Sequence, residues 1–297
     1  RAFVEEHYSS LPADVESLSR HYVAVEKEIT ELLGLDRIEM PMDLYSLVHQ
    51  PKEGMMRVLY NRTFDLVQGK TTVDAFEAQA AGDLNAMAGE LFRLGYEHWA
   101  ALVVVKLLEP DEAYRVDLDE DYKPCLAELE SIAFGRQAHH PTIRIPEFVL
   151  HSRRLNRYVA VKMALANEIE SLVPQYRPPV RPKKKTGDTS LALDSRVMLL
   201  SFMESAKDIP VIAEIYDLKL TNPDWMMECI SGRELRQPGA IDPVMRHLEA
   251  LRPKRGTCLV LADGETDSLP AGIPENLRPV SAGFDEARLR AVVDSLV

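Results

Sequence analysis

Near the start of the chain apolar residues recur at alternating spacings of three and four: Val15, Leu18, Tyr22, Val25, Ile29 and Leu32. That period puts them on one stripe of a helix, which must pack on another helix to be buried. Gly34 follows the last of them and is a natural helix stop. A second helix is expected from about Glu53 to Gln68, ended by Gly69. Thr71 or Thr72 can cap a third, and Gly82 and Gly95 divide the long stretch that follows. Pro124 suits the first turn of a helix running to Phe134 before Gly135. Pro146 opens a long one whose stripe is Leu155, Tyr158, Val159, Leu165, Ile169 and Leu172. Residues 1–173 are therefore expected to form an all-helical bundle with these stripes as its core.

The pattern then breaks. Residues 174–190, PQYRPPVRPKKKTGDTS, hold four prolines and five basic side chains but almost nothing to bury. Proline removes backbone donors and restricts its predecessor, so this stretch reads as a semi-extended linker. Its three consecutive lysines, 183–185, also suit an arm gripping an acidic partner. Beyond it the period changes again. A helix from Asp194 to about Ala206 is expected, then the apolar run Pro210 to Leu220 and a turn at Thr221-Asn222-Pro223-Asp224. A strand from Trp225 to Ser231 follows, then a helix from Asp242 through Leu251. Strands at GTCLVLADG and at Arg278 to Ala282 follow, and a closing amphipathic helix turns Phe284, Leu289, Val292, Val293 and Leu296 inward. The fold class expected is α+β multidomain. A helical bundle, 1–173, is joined by a linker, 174–190, to a small α/β domain, 191–297, with a hairpin-containing mixed sheet.

Charge narrows the list of partners. The net charge is −12, divided as −11 over residues 1–173, +4 over 174–190 and −5 over 191–297. A protein that neutralises many phosphates needs a basic surface, so nucleic acid is disfavoured and a protein partner is expected. The longest apolar run, Trp99 to Val105, is far shorter than the ~20 residues that span a bilayer. Three cysteines, Cys125, Cys229 and Cys258, form no close pair, which suits a reducing compartment and a cytoplasmic location. No secretory signal is visible, although the chain opens on Arg1 and not on Met.

Most motifs fail on inspection. GKTT, residues 69–72, lacks the glycine five residues before Gly69 that a phosphate loop needs, because Phe64 stands there. In DLDEDYKPCLAE, Asp117, Asp119, Asp121 and Glu128 match positions one, three, five and twelve of a calcium loop. Tyr122 occupies the place of its glycine, and a solvated acidic loop explains the charge equally well. His139 and His140 point in different directions and read as surface residues.

The stretch VIAEIYDLKLTNPDWMMECISGREL, residues 211–235, holds the best chemical candidates. Strand, turn, strand, helix and buried strand in this order resemble the core of the PD-(D/E)XK, or restriction-endonuclease-like, superfamily over roughly residues 194–297. The resemblance implies a metal held by an Asp on one strand and an acid on the next. It also implies a lysine two residues further on the same face to orient the attacking water. Asp217 and Glu228 are the pair placed to meet across the hairpin and hold magnesium or manganese, and Lys219 shares the face of Asp217. With Glu228 as the second acid, the lysine position is filled by Ile230. The competing reading makes these acids ordinary solvent-facing residues. The sequence thus favours a non-catalytic binding module needing no cofactor, with a metal-dependent nuclease, or an inactive relative of one, as the alternative.

Overall fold

A computed structural model describes residues 11–135, 143–170, 195–211, 213–214, 222–231, 239–261 and 274–296. The expected amphipathic stripe at the start of the chain forms α1 (Leu11–Leu33), where Val15, Leu18, Tyr22, Val25 and Ile29 are fully buried but Leu32, in the last turn, is exposed. Gly34 ends it with φ +66°, a conformation that side-chain-bearing residues rarely adopt. A short strand β1 (Arg37–Glu39) leads to α2 (Met42–His49) and α3 (Pro51–Val67). Gly69, at φ +70°, closes α3, and the Thr72 hydroxyl accepts the Ala75 N–H to cap α4 (Val73–Leu107). The GKTT segment is therefore helix punctuation. The stretch Trp99–Val105 of α4 is apolar all round because it is packed among α1, the closing helix (Glu286–Asp294) and the sheet. Trp99 through Val105 are each at most 1% exposed, and burying a large apolar side chain contributes about 1.5–3 kcal/mol.

Where further helices were expected after α4, the chain forms strands. They are β2 (Pro110–Leu118), β3 (Pro124–Glu128), β4 (Ser131–Ala133), β5 (Ile143–Arg144), β6 (Phe148–Ser152) and β7 (Arg157–Leu165). Pro124 starts an edge strand, where its missing N–H costs no ladder bond. The stripe assigned to 146–172 is in fact β6 and β7, followed by the short α5 (Ala166–Glu170). In β7, Val159 to Ala164 are buried on both faces, so the strand shows no alternation and is indistinguishable by period from a buried helix. The same correction applies to Asp194–Ala206. The apolar run there is β8 (Arg196–Met203), with Val197 to Ser201 all buried.

The remaining elements are β9 (Ala213–Glu214), β10 (Trp225–Ile230), α6 (Asp242–Leu251), β11 (Thr257–Leu261), β12 (Leu277–Ser281) and α7 (Glu286–Asp294). Eight strands join in one mixed sheet of order β12-β11-β10-β8-β7-β6-β2-β3. β7 and β8 come from either side of residues 174–190, which lie outside the described residues, and pair over eight positions from Tyr158↔Met203 to Leu165↔Arg196. The sheet and its main core therefore draw on both sides of the expected domain boundary, and the N-terminal part is not all helical. One face of the sheet packs under α1, α4 and α7, and the other under α5 and α6. Among the described residues no helix is long and apolar enough to cross a membrane.

Candidate functional site

The hairpin that was to unite Asp217 with Glu228 is not how β10 is paired. Its two neighbours are β8, antiparallel, and β11, parallel, so Val197 and Leu259 stand opposite Glu228. β9, at the start of the expected first hairpin strand, pairs instead with β5. Asp217 and Lys219 lie outside the described residues. Glu228 does not face solvent: it is 6% exposed, and the His247 Nδ1–H of α6 donates to its Oε2 at 3.0 Å. His247 is 1% exposed, and its Nε2 finds no hydrogen-bond partner among the described residues. The burial follows from the strand's position, because β10 lies inside the sheet with helices on both faces. Ile230, in the lysine position, packs at the edge of the same core.

The calcium-loop acids are spent locally. Asp119 Oδ1 accepts the N–H groups of Asp121 and Lys123 at 2.9 and 2.8 Å, closing the turn between β2 and β3. Arg115 holds Asp117 Oδ2 through Nε and Nη2, at 3.0 and 2.7 Å. His139 and His140 are outside the described residues. Among the described residues no group of three or more His, Cys, Asp or Glu side chains is arranged to hold a metal ion.

Two arrangements escaped the sequence reading. The first is an acid–lysine pair in the sheet. Glu147 immediately precedes β6, and its Oε1 accepts from Lys162 Nζ of β7 at 3.0 Å while Oε2 accepts the Met163 N–H at 2.8 Å. Both side chains are about 5% exposed or less. The signal was present as Pro146-Glu147 before an apolar triplet and Lys162 two residues after Ala160. It is hidden because the apolar pattern of 146–172 reads as one helix.

The second is a cleft of about 650 Å³ beside the parallel pair β1·β4. Arg37 of β1, Arg115 of β2 and Arg196 of β8 line it, with Ser131 and the acids Asp36, Glu39 and Glu130. Arg196, 5% exposed, forms the floor, and its Nη1 donates to the Phe134 carbonyl at 2.8 Å. Gly135 has φ +70°, and a Cβ built on it would stand 1.2 Å from Arg196 Nη1. The backbone there thus gives up a side chain to seat a guanidinium. Behind Arg196, Glu97 of α4 accepts the Ser195 hydroxyl at 2.7 Å and the Arg196 N–H at 2.9 Å. Burial pushes the Glu97 carboxyl up to about 7, against the opposing pull of Arg93 and these hydrogen bonds. Burial, and then the charge of Arg196, hold His98 well below the ordinary histidine range. At neutral pH His98 is therefore neutral and Glu97 only partly charged, so Arg196 keeps much of its positive field.

A second cavity of about 690 Å³ continues over β1 and shares Asp36, Arg37, Glu39 and Met40 with the first. At its far end Glu26 of α1 and His49 of α2 approach to 3.3 Å under Tyr45, off the line of a hydrogen bond. Burial raises the Glu26 carboxyl to about 7 and lowers His49.

Compared with known proteins, no family model, curated protein or solved structure matches the chain.

Proposed function

We propose that this chain is a non-catalytic binding protein, an inactive relative of the restriction-endonuclease-like nucleases, that takes its ligand in the cleft beside β1 and β4. One observation carries the reading. Outside the segment 194–297 in which the resemblance lies, Glu147 just before β6 and Lys162 of β7 bring together an acid and a lysine of the kind such a nuclease uses, but the position two residues before Lys162 is Ala160. The missing side chain is the second carboxylate, without which a divalent ion has one protein anion to hold it. Glu147 and Lys162 neutralise each other in a dry site, which suits an ion pair that fixes strand register. The open cleft with its prearranged arginines favours a small ligand, and the protein partner expected from the charge distribution is compatible with it.

The test is a cleavage assay on single- and double-stranded DNA and RNA in magnesium and in manganese. The purified protein is expected to leave every substrate intact. Metal-dependent cleavage by the purified protein would overturn the proposal, whether or not Lys162→Met abolishes it.

A further inference from the structure

We infer that the cleft over Arg196 binds a small carboxylate that also carries a hydrogen-bond donor beside its carboxyl group, an α-amino or α-hydroxy acid. The inference rests on the binding-protein reading and names its ligand.

Three guanidiniums from three elements line one cavity, and two of them are held in place before any ligand arrives. Arg115 is set by Asp117 through two hydrogen bonds and Arg196 by the Phe134 carbonyl, while Arg37 is largely exposed and lies 3.4 Å from Glu39. Holding the donors beforehand removes part of the ordering cost of binding. A planar guanidinium donates two parallel N–H groups, a geometry that matches a carboxylate. The cavity falls within the range of about 300–1,000 Å³ usual for small-ligand sites.

The acids of the lining decide which anion fits. Asp36, Glu39 and Glu130 in the lining, together with Asp117 on Arg115, at least balance the three arginines, so the cleft as a whole carries no large positive charge. A polyphosphate brings several negative charges toward three carboxylates and is repelled. A ligand with one carboxylate and an adjacent ammonium or hydroxyl satisfies both signs, its carboxylate on the arginine side and its donor toward an acid. Glu130 is placed for the second role because it lies near enough to Arg115 to act on its charge. Glu97 adds to the selection from behind: being only partly ionised at neutral pH, it does not cancel the floor guanidinium.

Titration calorimetry at pH 7 provides the test, with L-alanine, L-glutamate and L-lactate as probes and inorganic phosphate and ethylamine as controls that carry charge of one sign only. Saturable binding of at least one of the three carboxylates, with neither control binding comparably, is expected. Losing one charge-assisted contact should weaken it about tenfold in Arg115→Gln and in Arg37→Gln. Both residues stand on the cleft wall, so these variants keep the test open if Arg196→Met fails to fold. No carboxylate binding, equal binding of phosphate, or binding unchanged in both wall variants would each overturn the inference. A protein that neither cleaves nucleic acid nor binds these probes loses the ligand assignment alone, whereas metal-dependent cleavage removes the underlying reading whatever it binds.

Discussion

Gly135 and Arg196 are sixty-one positions apart in the chain, and a Cβ on the first would stand 1.2 Å from Nη1 of the second. The contact is backbone against guanidinium, and the positive φ of Gly135 adds a conformational requirement to the steric one. Gly135→Ala should therefore cost about 2–4 kcal/mol, in the range of changes that combine backbone strain with a displaced buried group. Urea denaturation of the variant would measure it, and a change within about 0.5 kcal/mol would show that the loop yields freely.

Glu147 and Lys162 make a second prediction. Removing one partner of a buried ion pair strands the other charge, so Lys162→Met should cost about 3–5 kcal/mol. Replacing both, as Glu147→Leu with Lys162→Met, should recover much of that loss, though the Met163 N–H then loses its acceptor. A double-mutant cycle by chemical denaturation separates the two terms. Additive losses would mean that the pair is not coupled.

Glu228→Gln supplies a third. A solvent-facing acid would change stability by no more than about 0.5 kcal/mol, but this one is buried and accepts from His247. The substitution should cost about 1–3 kcal/mol, as for a buried polar group whose partner is disturbed. Manganese should leave the wild-type melting temperature where it was. A manganese-induced rise abolished by the substitution would restore Glu228 as a metal ligand.

Glu97 links the cleft to pH. Its folded-state carboxyl titrates near 7 against an ordinary value of 4.5, so the folded protein holds the proton more tightly than the unfolded chain. Its contribution is greatest below pH 4.5, falls as pH rises toward 7, and is constant above. At about 1.4 kcal/mol for each pH unit between the two values, the loss is of the order of 3 kcal/mol. His98, held low by burial, runs the other way: it costs stability as pH falls below 6.5. The informative quantity is therefore the difference between wild type and Glu97→Gln, followed from pH 4 to 8. That difference should shift in favour of Glu97→Gln across the window, and a flat one would remove the buried proton from Glu97.

What could be read from the chain divides along physical lines. α1, α6 and α7 were legible because each has one apolar face and one wet face, and Gly34 and Gly69 marked true helix ends. β7 and β8 were not, because Val159 to Ala164 and Val197 to Ser201 are buried on both faces and lose the alternation that marks a strand. The site suffered from the same cause. A single helix over 146–172, which the apolar pattern suggests, separates Glu147 from Lys162 by about four turns and so hides their pairing. Arg196 looked like part of a helix end, and nothing in its neighbours tied it to Gly135. Glu228 was correctly put on a strand, but which strands flank it depends on pairings between distant segments.

The docking of α7 has a consequence for how this chain emerges during synthesis. Phe284, just before α7, stacks on His21 of α1 and meets the rings of Tyr96 and Trp99 of α4, while Tyr96 donates to the Gly283 carbonyl at 2.7 Å. Lys106, at the end of α4, is shared between Glu28 of α1 and Glu286 of α7. These ring faces must wait for nearly two hundred further residues to leave the ribosome, about 10–40 s at ordinary elongation rates. During that interval α1 and α4 present an apolar seam with nothing to cover it, so a nascent chain stalled before Phe284 is the species a chaperone or a protease would meet.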